Sequence, residues 1–279
     1  MSGSAARASG TSAATLASAA AAICKRDFLV FASYRTRFVT TFFATAVSLT
    51  LFYYVSRLVT SSRFGGPDEY YSFVVVGLII FGVLTSTLSS PLATLRAELQ
   101  AGTFERMVVS PFGPVRSVAS LLIFPVLLAV ALGVMSLVYA GLVFGVDVRW
   151  ETLGAALPVA LLSAAAFAPF GLLMASAVVL FKQTNAGATF LMAGVSLVAG
   201  VYFPVELLPG WIEWTSDVQP FTPAVDLLRN VLVGTPLRDS AALDLVKLAG
   251  FAAALLPVSL LVLRAAVERS RRKGTIIEY

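Results

Sequence analysis

The residue types that carry most enzyme chemistry are scarce in this sequence. Its 279 residues include no histidine and one cysteine, Cys24, which excludes histidine bases, histidine metal ligands and a disulfide within the chain. The stretch Lys273-Gly274-Thr275 lacks the earlier glycine and the strand of a phosphate-binding loop. Acidic residues such as Glu206 lack the convergent spacing of a paired acid and base. We therefore predict no catalytic residue, metal site or nucleotide site in this chain.

The composition is that of a membrane protein. Hydrophobic residues make up 58% of the chain and charged residues 13%, and the mean hydropathy is +0.88. A soluble domain carries about twice that charged fraction, so soluble enzymes, nucleic-acid-binding proteins and disordered chains are poor interpretations. In a membrane protein, the net charge of +5 is better explained by Lys and Arg residues that set the orientation than by a nucleic-acid partner. We expect the lipid bilayer as a partner and no nucleic acid.

Six uncharged stretches predict an all-α integral membrane protein with six transmembrane helices. A helix needs about 20 apolar residues to cross a hydrocarbon core of about 30 Å. The last stretch is the shortest, and we keep it because Lys247 and Arg264 at its ends can extend toward the interfaces. The stretches are residues 38–56, 70–95, 117–146, 152–181, 183–205 and 248–263.

The distribution of cations predicts the orientation. If hydrophilic segments alternate between the two sides, 14 of the 20 Lys and Arg residues fall on the side that holds both termini. Cytoplasmic segments of membrane proteins are enriched in these residues. We therefore predict that both termini are cytoplasmic.

The N-terminal region divides into two parts before the membrane domain at 38–273. Residues 1–22 form an Ala/Ser-rich tract that we predict to be a disordered tail rather than a cleaved signal peptide, because hydroxyl residues interrupt any apolar core. For residues 23–37 we predict a cytoplasmic interfacial helix, although Asp27 interrupts its apolar face. The alternative is an ordinary basic segment that flanks the first transmembrane helix. Residues 274–279 are expected to be a cytoplasmic tail.

The segment between the second and third predicted spans contains a helix end. Helix-forming residues continue to Ala101, and Gly102 suits the left-handed conformation that ends many helices. Thr103 is suited to cap a second short helix that stops before Ser110-Pro111. This short cytoplasmic helix would offer apolar side chains to a partner, and a solvated connector without a partner is the alternative.

The segment after the fifth predicted span is unusually apolar for a loop. Its prolines remove backbone donors and predict several short helices instead of one. Trp211 and Trp214 are typical of a membrane interface. We therefore predict outer helices that are half-embedded at the membrane surface. The prolines are Pro204, Pro209, Pro220 and Pro223.

Together these segments resemble a known family. The pattern Glu98-x-x-x-Gly102-Thr103-Phe104-Glu105-Arg106, followed by Ser110-Pro111 and then by the proline-rich outer segment, is similar to the permease subunit of type-2 ABC exporters (the ABC-2 type transporter permease family). The resemblance covers about residues 23 to 273. The order and spacing of the motifs carry it, since each motif alone is loose.

The resemblance implies two sets of site residues. One set would contact a separate ATPase through the short coupling helix, and the other would form a re-entrant outer gate between spans five and six. The ATPase-coupling residues are Glu98, Gly102, Thr103, Phe104, Glu105, Arg106, Ser110 and Pro111. The gate residues are Phe203, Pro204, Leu208, Pro209, Trp211, Pro220, Asp226 and Arg229.

The resemblance also implies partners and a location. Such exporters combine two permease subunits, here expected to be a homodimer, with two ABC nucleotide-binding ATPase subunits, and the path runs between the permeases. ATP and Mg would be bound by the partner subunit, with no cofactor in this chain. The expected location is a bacterial-type plasma (inner) membrane.

Two groups of side chains keep alternative interpretations. Asp226 and Arg229 are three positions apart on a predicted helix, so they either pair with each other or serve transport. Clustered aromatic residues would either line a path or form an interfacial belt. These aromatic residues are Phe42, Phe43, Phe52, Tyr53 and Tyr54.

The sequence restricts the cargo only broadly. The five clearest spans contain no ionisable residue, which disfavours proton-coupled antiport and favours an amphiphilic or lipid-like cargo over a small anion. The expected function is ATP-driven export of such an amphiphile. A lipid-linked polysaccharide exporter is the alternative within the family, and an intramembrane enzyme or membrane assembly scaffold is the alternative from another class.

Overall fold

The computed structural model describes residues 13–33, 35–58, 64–103, 112–181 and 185–273, and every regular element in these ranges is helical. Two single turns of 3-10 helix, Trp150–Thr152 and Val205–Leu207, join longer helices. The α-helices are α1 (Ala13–Ser33), α2 (Arg35–Ser56), α3 (Pro67–Gln100), α4 (Pro114–Ser120), α5 (Ile123–Phe144), α6 (Leu153–Phe181), α7 (Asn185–Val198), α8 (Gly210–Asp217), α9 (Phe221–Val233) and α10 (Ala241–Lys273).

Five helical stretches in the described ranges are long and apolar enough to cross a membrane. They correspond to five of the six predicted spans. The mean hydropathy of their best windows lies between 1.4 and 2.8, as expected of helices whose solvent is lipid. The stretches are Val39–Ser56, Pro67–Gln100, Pro114–Phe144, Trp150–Phe181 and Ala241–Arg272.

The remaining predicted span, residues 183–205, is only partly helical. Helix α7 has 14 residues and extends about 21 Å, which is less than the thickness of a hydrocarbon core of about 30 Å. The helix gives way to a turn in which Gly200 takes a φ of 69°, a left-handed conformation that glycine adopts without strain. Absence of charge alone could not reveal this early end, because residues 199–205 are as apolar as a helix interior.

Helices α3 and α6 form the centre of the molecule. Helix α6 packs along both α10 and α3, and α3 packs along α5 and α9. Gly171 of α6 brings two of these helices close together, because a Cβ atom there would lie 2.9 Å from the carbonyl oxygen of Thr87 in α3. Helices in lipid associate mainly through van der Waals contacts, and small residues let two helices approach closely enough to form them.

Two clusters of buried side chains lie at opposite ends of this centre. One surrounds α9 and includes Val75, Phe167 and Phe221. The other includes Leu95 and Leu263 and lies near α4, close to the C-terminal end of α3. Helix α3 contributes buried side chains to both clusters.

The N-terminal helix begins earlier than the sequence predicted. Residues 13–22, which we expected to belong to a disordered tail, are the first residues of α1. Alanine has the highest helix propensity of all residues, and this stretch is rich in it. The aromatic rings of Phe28 and Phe31 lie 6.4 and 5.7 Å from the ring of Phe124, so α1 packs against the start of α5.

Candidate functional site

Helix α3 connects the two segments that the sequence singled out. It contains 34 residues and is therefore about 51 Å long. Its C-terminal end carries Glu98 and leads into Gly102, and its N-terminal half contacts Arg229 in α9. Glu98 and Arg229, one from each predicted set, thus lie toward opposite ends of one helix.

The C-terminal end of α3 has the hydrogen bonds of a Schellman motif. The backbone N–H of Thr103 donates to the carbonyl of Glu98 at 3.0 Å, and that of Gly102 donates to the carbonyl of Leu99 at 3.2 Å. Gly102 has a φ of 69°. The predicted left-handed cap is confirmed, because these two bonds satisfy carbonyls that the helix leaves free.

The Glu98 side chain is the centre of a small polar cluster. It accepts a hydrogen bond from Thr103 Oγ1, and Arg26 Nη1 of α1 lies 3.0 Å from its Oε1 atom. Arg26 also bonds Asp27 Oδ1 at 2.9 Å. Asp27, which spoils the apolar face of α1 in the sequence, therefore helps to hold Arg26. The cluster joins the N-terminal helix to the end of α3.

The rest of the predicted coupling segment lies outside the described residues. These positions are Phe104, Glu105, Arg106, Ser110 and Pro111. The described chain resumes at Phe112 and enters α4 at Gly113, whose φ is 83°.

The outer segment consists of short helical pieces. Pro204 precedes the Val205–Leu207 turn, Pro209 precedes α8 and Pro220 precedes α9. A proline is tolerated at such positions because the first residues of a helix have no intrahelical acceptor for their N–H groups. The short pieces thus follow the spacing of the prolines.

Helix α8 displays an apolar surface. Trp211 and Trp214 are 74% and 60% exposed, and Leu207 is 54% exposed, whereas Phe203 and Leu208 are partly buried. Exposed tryptophans of this kind are typical of the interface between lipid and water. The segment therefore exposes large apolar side chains, as the prediction of outer interfacial helices requires.

Arg229 is buried and holds three elements together. It is 2% exposed, its Nε donates to the carbonyl of Phe73 at 3.0 Å, and its Nη2 donates to the carbonyl of Val201 at 3.0 Å. Its guanidinium carbon lies 3.4 Å from the centre of the Phe73 ring. Arg229 thus connects α9 to α3 and to the turn after α7, with each bond charge-assisted.

Gly77 provides the space for this side chain. A Cβ atom at Gly77 would lie 2.6 Å from Arg229 Nη2 and would also overlap the carbonyl oxygen of Val201. The sequence could not identify Gly77, because its role depends on residues 124 and 152 positions further along the chain.

Asp226 and Arg229, for which the sequence left open either a mutual pair or a role in transport, do not form a salt bridge. None of the salt bridges within 4.0 Å in the described part of the chain joins them. Asp226 lines a cavity of about 300 Å³ together with Glu206 and Arg238. Helix α9 is outside the five candidate spans, and burial raises the pKa of Asp226 to about 6 and lowers the pKa of Arg229 to about 9.

Arg238 restrains α8, and sequence reasoning missed it. Its guanidinium lies 3.2 Å from Glu213 Oε1 and 3.4 Å from Asp217 Oδ1, both in α8. It also donates to Ser216 Oγ at 3.3 Å. The excess of acidic residues in this segment was the available signal, but it does not tell which cation they surround.

The candidate pathway aromatics do not share one surface. Three of them pack within the protein: Phe42 on Tyr139, Phe52 on Tyr202 and Tyr53 on Phe144, with ring centres 5.9, 5.6 and 4.6 Å apart. Phe43 and Tyr54 are 67% and 66% exposed. The exposed face of α2 thus contains two of the five.

Comparisons with known proteins identify the family. A family model described as ABC-2 type transporter matches residues 19–233. The chain is similar to the daunorubicin resistance ABC transporter permease protein DrrB1 of Streptomyces coeruleorubidus, at 23% identity over 225 residues that cover 78% of this chain and 79% of that protein.

Two further relatives match over shorter regions. Nodulation protein J of Rhizobium meliloti (strain 1021) is 27% identical over 89 residues, and Nodulation protein J of Rhizobium leguminosarum bv. trifolii is 28% identical over 91 residues. These alignments cover 32% and 33% of this chain. They cover 34% and 35% of the relatives, so the chain spans about a third of their length.

The family match confirms the resemblance that the sequence motifs carried. It extends from α1 through α9, and so includes both ends of α3 and the outer segment. The relative DrrB1 is named as a permease protein of an ABC transporter. This chain belongs to the ABC-2 type transporter family, as a membrane transport subunit.

Proposed function

We propose that this chain and a second copy of it form the export path for an amphiphilic or lipid-like substrate. Two copies of a separate ABC ATPase drive the export by hydrolysing ATP with Mg. The observation that carries the proposal is the continuity of α3, whose two ends lie at the predicted ATPase contact and at the outer segment.

In the proposed mechanism, α3 transmits movement from the ATPase contact to the outer segment as a rigid helix. A nucleotide-driven movement reaches the membrane domain only through elements in physical contact with the ATPase. The Gly102 cap and the Arg26–Glu98 pair hold the C-terminal end of α3, so a displacement of the adjoining segment moves the helix. Arg229 then transmits the movement of α3 to α9 and to the turn after α7.

The outer pieces act as the gate in this proposal. Helix α8 is held to the rest of the protein by Arg238 and presents apolar side chains outward. Ion pairs with such exposure contribute about 0–1 kcal/mol each, so the helix can move without a large cost. Its apolar surface would close the path to water and yield to an amphiphile.

The nature of the cargo is inferred from charge and from one relative. The central parts of the candidate spans contain no ionisable side chain, which favours a substrate that needs no buried counter-ion. The relative DrrB1 is named for daunorubicin resistance. By analogy with that relative, the cargo of this chain is an organic amphiphile.

The proposed topology has six crossings with both termini in the cytoplasm of a bacterial-type inner membrane. Helix α7, with the apolar residues that follow it, is the fifth crossing. A Cys24→Ser background carrying a single cysteine at Trp211 should react with an impermeant maleimide from outside. If a cysteine introduced by Glu98→Cys reacts from outside instead, the orientation is the opposite of the proposed one.

Cross-linking tests the ATPase contact. In the Cys24→Ser background, Glu105→Cys should form a cross-link to the ABC ATPase partner, and Trp211→Cys serves as the control at the opposite end. Glu105→Arg should leave insertion intact and reduce both ATP-driven uptake of the substrate into inverted vesicles and stimulated ATP hydrolysis. If position 105 never reaches an ATPase, the coupling assignment fails.

A further inference from the structure

A cleft lies among α1, α2, α3 and α5, away from the outer segment. It encloses about 830 Å³, which is within the range of small-molecule sites. Along α3 it extends from Glu98 through Thr94 to Ser86, a distance of about 18 Å at 1.5 Å per residue. A cleft of this length can hold an extended molecule.

The walls of the cleft differ in polarity. One end contains Arg26, Asp27 and Glu98, and the wall formed by α5 is apolar and includes Leu128 and Leu132. A single site therefore combines a charged end with an apolar groove. An amphiphile has the same combination in one molecule.

The charged end has an excess of negative charge. Two carboxylates, Asp27 and Glu98, face one guanidinium, that of Arg26, and no other ionisable side chain is among the described residues that line the cleft. The carboxylate side chains are 15% and 17% exposed, whereas Arg26 is 42% exposed. Partly buried carboxylates attract a cation more strongly than exposed ones, because less water screens the interaction.

We propose that this cleft binds an amphiphile with a positively charged head. The head lies against Asp27 and Glu98, and the apolar body lies along α5. The proposal rests on the proposed function for its role, which is to take up the cargo from the cytoplasmic side. Binding itself requires no ATPase, so it can be measured independently of export.

Arg26 competes with the head for the same carboxylates. It is the more exposed partner and forms both ion pairs, so a bound cation has to share them. Removing its charge by Arg26→Gln should therefore tighten binding of a cationic amphiphile by about threefold to tenfold, and Asp27→Asn should weaken it by a similar factor, since about 1 kcal/mol corresponds to about fivefold.

The experiment uses the full chain in nanodiscs of neutral phosphatidylcholine. Three photoreactive probes share one alkyl chain and carry a trimethylammonium, a hydroxyl or a sulfate head. The ammonium probe should label peptides containing residues 124–132 with an affinity at least tenfold higher than that of the sulfate probe. Equal labelling by all three probes would show ordinary partition into lipid and would overturn the proposal.

Two adjacent leucines of α5 give a matched pair of variants. Leu128 lines the cleft, whereas Leu127 is 50% exposed on another face. Leu128→Trp should fill the groove and weaken binding at least tenfold, and Leu127→Trp should leave it within twofold. Unchanged binding in Leu128→Trp would place the probe elsewhere and refute the site.

Export measurements separate the two proposals. If the ammonium probe binds in the cleft but the chain with its ATPase exports nothing, the proposed function fails and the binding site stands. If export of the ammonium probe stays normal in Leu128→Trp while cleft binding is lost, the cleft is not the uptake site and the inference is overturned.

Discussion

Adding one methyl group at Gly77 should disrupt the connection between α3 and the outer segment. In Gly77→Ala the new Cβ would lie 2.6 Å from Arg229 Nη2 and would overlap the carbonyl oxygen of Val201. The second of these groups is backbone and cannot rotate away. Either α9 and the turn after α7 move away from α3, or the bond between Arg229 and Val201 is lost.

The expected cost follows from three contributions. Overpacking of a close contact costs about 1–3 kcal/mol, and loss of a hydrogen bond from a charged group costs about 1.5–3 kcal/mol. Replacing a helical glycine with alanine returns about 1 kcal/mol. Together these contributions predict that Gly77→Ala lowers the free energy of unfolding by about 1.5–5 kcal/mol.

Gly82 provides the control in the same helix. A Cβ atom at Gly82 would meet nothing within 4 Å, so Gly82→Ala should raise stability by up to about 1 kcal/mol. Thermal unfolding in one detergent should show opposite shifts for the two variants. Hydrogen exchange in Gly77→Ala should increase in residues 199–233 before it increases elsewhere.

Two results would refute the reasoning. If Gly77→Ala is as stable as Gly82→Ala, the contact between α3 and Arg229 is not tight. If Gly77→Ala is destabilised but exchange rises evenly along the chain, Arg229 is not the connection between α3 and the outer segment.

Three further variants test other parts of the structure. Gly102→Ala should cost about 1–2 kcal/mol because φ is 69°, and Gly102→Asn should cost less, since asparagine tolerates this conformation; equal melting temperatures for the two would contradict the left-handed cap. Because burial raises the pKa of Asp226 to about 6, the folded state binds its proton more tightly than the unfolded chain, whose value is about 3.9. As the pH rises from about 4 to about 6, the free energy of unfolding should therefore fall, and above pH 6 it should level off. Asp226→Asn should remove this fall from the pH profile measured by denaturation. An unchanged profile would assign the titration to another group. Arg238→Ala should change the melting temperature little and speed amide exchange in α8, and unaltered exchange there would argue against the tether.

Local features of the sequence were sufficient for several predictions. Five of the predicted spans correspond to long apolar helices, because hydropathy over about 20 residues decides whether a segment is stable in lipid. The left-handed cap at Gly102 and the breaks at Pro204 and Pro209 were also predictable, because each depends on the backbone preference of one residue. The family motifs were recognisable for the same reason, since they are short and ordered along the chain.

The partners of the charged side chains required the tertiary structure. The sequence left open whether Arg229 pairs with Asp226 in the same helix or serves transport, and the structure shows that it donates to the carbonyl of Phe73, 156 positions away. Arg26 and Glu98 are 72 positions apart, and neither has a local pattern that indicates the other. Such pairs depend on which helices pack together, and packing is decided by the shapes of many side chains at once. The sequence by itself therefore determined the class of protein, its helices and its family. Only the tertiary structure, which packs α3 against α9 and brings Arg26 of α1 to Glu98 at the end of α3, decided which charges meet.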